Sequence, residues 1–172
     1  MTFYYGDGSN SGAGRIVQYT TNAYDGKFSQ DVSSASHSND VMTLAITPKS
    51  NNSVIWCTGN FNTAISGQEQ IGLILVRDST VLDGYRGSSE GSNRGRHGAT
   101  SSTSWSNGPI AIHLNYVDSP ATTSAVTYRV RLIPAHGGGG TRTVWLNRTS
   151  DATDETYRPR SRSTMTLFEI TV

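Results

Sequence analysis

Apolar and polar side chains alternate along two neighbouring segments near the middle of the chain. Residues 110–117 place an apolar side chain at every second position, and residues 126–133 repeat this pattern, with Arg129 and Arg131 among the polar positions. Because strand side chains alternate with a period of two, both segments are predicted to be strands with one dry face. The polar turn at 118–124 predicts that they pair as an antiparallel hairpin. A second layer must then cover the dry face.

Shorter patterns of the same kind predict further strands along the chain. The segment 71–77 is apolar on both faces and predicts a central strand, whereas 83–108 has no hydrophobic period and predicts a long loop. Trp56 and Cys57 are expected in the core. The remaining predicted strands are residues 15–20, 23–32, 41–47, 54–61, 81–82, 143–147 and 164–172. Eight to ten short strands predict an all-β fold, a two-sheet antiparallel sandwich of the jelly-roll type.

Composition supports this fold class. Hydrophobic residues make up 34% and charged residues 16%, and Gly contributes 18 positions. This mixture is poor in helix formers and rich in residues that favour strands and turns. Residues 15–172 are predicted to form a single domain, preceded by a flexible arm and hinge at residues 1–14.

The net charge and the N-terminal sequence restrict the kinds of partner and the location that we expect for this protein. The net charge of +1 gives no long-range field that favours nucleic acid, and the longest apolar run is too short to span a membrane. The first residues lack the basic and apolar segments of a secretory signal. One cysteine excludes an intrachain disulfide framework. We therefore expect a soluble protein made in a cytoplasm, with neither nucleic acid nor membrane insertion.

No catalytic arrangement is evident in the sequence. Cys57 lies within a predicted strand, where a buried structural role is expected, and the four histidines are scattered. The glycine-rich segment 136–141 lacks the lysine of a phosphate loop, and the acidic segment 151–155 lacks the ligand pattern of a calcium loop. No convincing pair of carboxylates suits glycoside cleavage. We predict no enzymatic activity, no cofactor and no metal site.

Two segments are candidates for contact with partners. Phe3, Tyr4 and Tyr5 precede a Gly/Ser/Asn hinge and are expected either to dock on another protein or to form a frayed terminus. The long loop is expected either to be solvated or to contact a host or partner surface, with arginines binding acidic glycans and aromatic rings stacking on sugars. Its candidate residues are Tyr85, Arg86, Arg94, Arg96, His97 and Trp105.

Several segments resemble small β-sandwich domains of tailed bacteriophages, particularly cyanophages. The resemblance runs through residues 14–18, 41–48, 75–80, 118–124, 127–128, 146–149 and 163–170. That family is similar to virion-exterior structural proteins, which include tail-fibre end domains, head fibres and decoration proteins. The resemblance implies a jelly roll that associates as a homotrimer and carries no catalytic motif.

The resemblance leaves two locations on a particle open. No shaft or attachment domain precedes the sandwich in this sequence, which favours a capsid decoration protein that docks on the major capsid protein. The alternative is a receptor-binding tail-fibre or baseplate tip that contacts host surface glycans. Apolar second faces on 71–76 and 164–172 suggest coverage by a neighbouring subunit. The candidate subunit interface comprises Arg129, Arg131, Phe168 and Ile170.

Overall fold

Eleven β-strands and one 3₁₀ turn form the described part of the chain in the computed structural model. The structure describes residues 14–33, 36–67, 69–88, 96–102, 108–135, 140–150 and 160–171. The strands are β1 (Ile16–Tyr24), β2 (Phe28–Ser33), β3 (Asp40–Ile46), β4 (Val54–Ile65), β5 (Gln70–Arg77), β6 (Thr80–Val81), β7 (Ala99–Ser102), β8 (Ile110–Asp118), β9 (Val126–Ala135), β10 (Thr141–Leu146) and β11 (Ser163–Ile170), and the 3₁₀ turn is Asp83–Tyr85.

The strands form two antiparallel sheets with jelly-roll connectivity. In the first sheet β1 pairs with β11, β11 with β4, and β4 with β8. In the second sheet β3 pairs with β9, β9 with β5, and β5 with both β6 and β7. The remaining strands, β2 and β10, pair with each other and extend the first sheet at the far end of β4. The predicted two-sheet sandwich of the jelly-roll type is confirmed.

Alternation along each strand builds the core between the sheets. On β11, Met165 and Leu167 are fully buried, and on β9 Tyr128, Val130 and Leu132 face them from the other sheet. Because successive side chains of a strand point to opposite faces, the intervening residues form the two outer faces of the sandwich. The core is therefore one apolar layer closed between the two sheets.

The central hairpin expected at 110–132 is wrong. β8 pairs with β4 in the first sheet, whereas β9 pairs with β3 and β5 in the second. The connection between them, which contains Pro120 and Ala121 at a φ of 52°, crosses from one sheet to the other. Both segments are strands with one apolar face, as predicted, but the two apolar faces lie on opposite sheets and face each other across the core.

Three further features were predicted from the sequence, namely a central position for β5 and burial of both Cys57 and Trp56. The central position of β5 is confirmed, because it lies between β9 on one edge and β6 and β7 on the other. Cys57 is fully buried, as predicted, and burial raises the pKa of its thiol far above the ordinary range. Trp56, however, was expected in the core and instead points outward, because its neighbours Ile55 and Cys57 take the inward positions on β4.

Gly59 leaves no room for a side chain where β4 lies against Thr164 of β11. A Cβ atom at this position would lie 2.4 Å from the backbone oxygen of Thr164 and 3.0 Å from the ring of Phe61. The Thr164 carbonyl belongs to a strand that is paired on both edges, so it cannot easily move aside.

We expect Gly59→Ala to lower the free energy of unfolding by about 1–3 kcal/mol, because overpacking strains the strands. Gly108→Ala is the matched control, since nothing lies within 4 Å of the added methyl, and it should change stability by less than about 0.5 kcal/mol. Urea unfolding followed by tryptophan fluorescence measures both variants. Equal stabilities for the two variants would contradict the close approach.

Candidate docking face

Apolar side chains form a row across the outer face of the first sheet. The strand registers place Tyr19 of β1 opposite Phe168 of β11, Phe168 opposite Trp56 of β4, and Trp56 opposite Val117 of β8. We call these four residues the apolar row. Because they occupy the outward positions of four consecutive strands, they form one continuous band.

The Phe168 ring of the apolar row contacts the other two aromatic rings, one on each side. The ring centroids of Tyr19 and Phe168 are 6.0 Å apart, and those of Phe168 and Trp56 are 5.3 Å apart with an interplanar angle of 29°. The indole N–H of Trp56 donates a hydrogen bond to Asn115 Oδ1 at 2.7 Å, which fixes the outer edge of this ring. These contacts hold the aromatic surface in one orientation.

Much of this apolar surface is open to solvent. Tyr19 is 67% exposed and Val117 is 39% exposed. Ile16, which pairs with Ile170 two residues beyond Phe168, is 49% exposed. Single exposed hydrophobic residues are common on protein surfaces, but a contiguous patch marks a site of interaction. The row and Ile16 therefore form a candidate interface.

The whole outer face of β1, β11, β4 and β8, which we call the docking face, has no Lys, Arg, Asp or Glu at its outward positions. Beyond the apolar row come rows of threonine and asparagine, and Thr21 and Thr166 are hydrogen-bonded to each other at 3.0 Å. The outward residues are Ile16, Tyr19, Thr21, Ala23, Val54, Trp56, Thr58, Asn60, Asn62, Ala111, His113, Asn115, Val117, Thr164, Thr166, Phe168 and Ile170. Depletion of charge is typical of the centre of protein–protein interfaces.

A buried carboxylate behind the docking face holds its strands in register. Glu169 is fully buried; its Oε1 accepts a hydrogen bond from the backbone N–H of Lys49 at 2.8 Å, and its Oε2 accepts one from Gln18 Nε2 at 2.6 Å. Burial alone would raise the pKa of Glu169, but the nearby Ser53 hydroxyl, these two hydrogen bonds and one from the Ser50 amide together outweigh it. The net pKa lies below the ordinary value of 4.5. Glu169 thus joins β1, β11 and the turn after β3.

We expect Glu169→Gln to lower the free energy of unfolding near neutral pH by about 1–3 kcal/mol, because its amide group opposes one of these N–H donors. Gln18 cannot turn to compensate without losing its 2.7 Å bond to the Thr47 carbonyl. The folded-state pKa of Glu169 is lowered, so its contribution is present above the ordinary carboxyl pKa and is lost as the pH falls through the folded-state value. The difference between wild type and variant should therefore shrink in acid.

Denaturant unfolding at a series of pH values tests this expectation. Glu69→Gln is the control, because the Glu69 carboxylate is 28% exposed and pairs with Arg142 at 3.0 Å near the surface, where one ion pair contributes less than about 1 kcal/mol. A stability difference for Glu169→Gln that stays constant into acid would show that the carboxylate charge is not responsible.

The structure corrects the expected contact loop at Tyr85. This residue is only 8% exposed, and its ring lies 5.6 Å from that of Tyr116 in the interior, so the prediction that it stacks on a surface sugar is wrong. Burial raises the pKa of its hydroxyl above the ordinary value. The loop could not be placed from its sequence because a lone aromatic in a polar segment carries no period.

The other loop candidates have different surroundings. Arg86 and Arg96 both approach the carboxylate of Asp83, and the hydrogen bond from Arg86 lowers the pKa of Asp83. His97 packs over Gly72 on the outer side of β5, and burial lowers the pKa of its imidazole. The remaining loop candidates and the aromatic arm lie outside the described residues, namely Phe3, Tyr4, Tyr5, Arg94 and Trp105.

The four residues of the predicted subunit interface lie on two opposite surfaces. Phe168 lies on the docking face and Ile170 at its margin, where it is only 7% exposed, whereas Arg129 and Arg131 point outward from β9 on the second sheet. They therefore do not form one patch. The sequence pattern correctly predicted which side of β11 faces outward. The neighbours of Phe168 in the apolar row could be identified only from the registers of four paired strands.

Within the described ranges, no three His, Cys, Asp or Glu side chains cluster in a way that suits a metal ion. No helix in the described part of the chain is long and apolar enough to cross a membrane.

Comparisons with known proteins give little beyond the fold. No protein-family model and no curated protein sequence matches the chain. Among solved structures, it is similar to one described as "Structure of infectious bursal disease virus Gx strain", with a TM-score of 0.37 and 11% sequence identity. The match covers 91% of this chain and 39% of that one, so this chain spans less than half the length of its structural neighbour. At this TM-score the likeness carries no argument about partners or role.

Proposed function

We propose that this protein is a non-enzymatic structural protein of a bacteriophage virion exterior. In this proposal it is a capsid decoration protein, of the cement or head-fibre kind, whose docking face binds other protein subunits. The observation that carries the proposal is the uncharged docking face with its exposed apolar row. The jelly-roll body and the sequence resemblance to phage virion-exterior domains also support it.

The docking face suits assembly better than chemistry. Its rings are fixed by mutual contacts and by the bond from Trp56 to Asn115, so little side-chain freedom is lost when a partner covers them. Buried aromatic residues dominate the energy of many protein interfaces. A second protein with a matching apolar surface is therefore the partner that this face fits.

Three copies about a threefold axis are the proposed assembly. Closed cyclic symmetry is the usual arrangement of homo-oligomers. Because the docking face has no Lys, Arg, Asp or Glu, copies of the chain can approach it without like-charge repulsion. The aromatic arm at Phe3, Tyr4 and Tyr5 is proposed to dock the assembly on the major capsid protein.

A second candidate function is a receptor-binding tail-fibre or baseplate tip. The observation that favours it is the different chemistry of the second sheet, whose outer face has Arg129, Arg131 and Asp40 in place of an apolar row. If the docking face is covered by subunits, this charged face is free to contact host surface glycans. The two candidates differ in where the protein lies on the particle.

Gold-labelled antibodies on purified virions, viewed by electron microscopy, distinguish the candidates. Label over the heads is the expected result for a decoration protein. Label confined to the tail end would replace that role with the fibre or baseplate tip. Absence of label from all particles, with a positive control antibody against the capsid, would overturn the virion proposal altogether.

A further inference from the structure

Two arginines share one carboxylate on the outer face of the second sheet. Asp40, the first residue of β3, lies with Oδ2 3.1 Å from Arg129 Nε and with Oδ1 2.6 Å from Arg131 Nε. Arg129 also donates a hydrogen bond to the backbone oxygen of Asp78, which supplies no full charge. Asp40 pairs with both guanidinium groups but balances only one of the two charges, and the Asp78 carboxylate nearby accepts a hydrogen bond from the Thr127 amide instead.

A cleft of about 490 Å³ opens beside Asp40 and Arg131. Its volume falls within the range of about 300–1,000 Å³ that is usual for small-molecule sites. Among the described residues, those that line it are polar: His37, Ser38, Asn39, Asp40 and Arg131. The chemistry of this lining favours a hydrophilic ligand over an apolar one.

The Arg131 guanidinium is held in place but keeps donors for a ligand. Its Nε donates to Asp40 Oδ1, and its Nη1 lies 3.4 Å from His37 Nε2. His37 Nδ1 is 3.2 Å from the Ser38 carbonyl oxygen, so the neutral tautomer with Nδ1–H satisfies both contacts. Among the described residues, Arg131 Nη2 has no hydrogen-bond partner. A fixed guanidinium with free N–H groups is suited to a carboxylate.

We propose that this cleft binds a carbohydrate that carries a carboxylate, such as a uronic acid unit of a surface polysaccharide. The carboxylate of the ligand accepts hydrogen bonds from the free N–H groups of Arg131. The hydroxyl groups of the sugar bond Asp40 and Asn39. A ligand with an anionic group alone would be repelled by the Asp40 carboxylate. A uronate offers a carboxylate for Arg131 and also hydroxyl donors for Asp40. The inference rests on the second candidate function, because it assigns a ligand class to the charged face.

Isothermal titration calorimetry with a short oligogalacturonide tests the proposal in solution, independently of where the protein lies on a virion. Saturable binding is expected, with no binding of the corresponding neutral oligogalactoside. Arg131→Ala should weaken binding at least about tenfold, because a charge-assisted pair is lost. Arg131→Lys keeps the charge but not the planar donors, so its affinity for the oligogalacturonide should lie between those of the wild-type protein and Arg131→Ala. Arg162→Ala, whose side chain is 61% exposed beside Asp25, is the control and should bind as wild type does.

Circular dichroism checks that each variant is folded, and Asn39→Ala, at an exposed position, provides a second variant of the cleft. No saturable binding by the wild-type protein would overturn the inference, and so would equal binding by Arg131→Ala. Tighter binding of a glutamate-rich peptide than of the oligogalacturonide would also overturn it, in favour of an acidic protein segment. None of these results alters the outcome of the virion labelling.

Discussion

Phe168→Arg is expected to weaken self-association of the protein strongly while leaving its fold intact. The Phe168 ring lies in the middle of the apolar row, between the rings of Tyr19 and Trp56. A guanidinium at this position would have to be buried without a counter-charge, because no acidic side chain lies at an outward position of the docking face. Loss of an aromatic anchor typically costs about 2 kcal/mol or more, so association should weaken at least about 30-fold.

Multi-angle light scattering over a range of concentrations measures this effect. Ala45→Arg is the matched control, since it adds the same charge to an exposed outward position of β3 on the opposite sheet. It should associate as the wild-type protein does. If Phe168→Arg still forms trimers at wild-type concentrations, the docking face is not the subunit interface. A wild-type protein that is monomeric throughout would contradict the trimer itself.

Asp118→Ala is expected to lower the free energy of unfolding by about 3 kcal/mol. Asp118 Oδ2 accepts hydrogen bonds from Tyr128 Oη at 2.6 Å and from Arg77 Nη1 at 2.8 Å. Asp118 belongs to the first sheet and its two partners to the second, so this carboxylate joins the sheets across the end of the core. Removing it leaves the buried Tyr128 hydroxyl without its acceptor and Arg77 without its counter-ion, at a cost that is typically about 3–5 kcal/mol for a buried pair. The partial exposure of Arg77 places the expected value at the lower end.

Guanidinium chloride unfolding, with circular dichroism as the probe, tests this expectation. Asp25→Ala is the control, because Asp25 is 78% exposed and lies 3.5 Å from Arg162, and exposed pairs contribute less than about 1 kcal/mol. Tyr128→Phe isolates the hydroxyl and should cost about 1 kcal/mol. If Asp118→Ala and Asp25→Ala are equally stable, the connection between the sheets at Asp118 carries no appreciable energy.

The sequence predicted the strands better than their pairing. Alternation along 126–133 correctly separated the inward Tyr128 and Val130 from the outward Arg129 and Arg131. The same pattern could not show that β8 and β9 belong to different sheets. A period of two determines which face of a strand is dry, but a dry face packs equally well within a hairpin or across a core.

The candidate site was predictable only in part, and for the same reason. The outward positions of Phe168 and Ile170 followed from the inward pattern of Met165 and Leu167 on the same strand. Trp56 was misplaced because size and hydrophobicity favoured the core over its position in the alternation. The apolar row as a whole depends on the registers of β1, β11, β4 and β8, which join residues distant in sequence. Local patterns contain no information about such registers.

The pairing of β1 with β11 has a consequence for the synthesis of the protein. β1 leaves the ribosome before every other described strand, yet β11, the strand with which it pairs, is made about 140 residues later. At about 5–20 residues per second, β1 waits on the order of ten seconds with its backbone groups unpaired. The docking face cannot exist before β11 is complete, because Phe168 and Ile170 belong to it. Nascent chains on neighbouring ribosomes are thereby kept from associating through this face before each has folded.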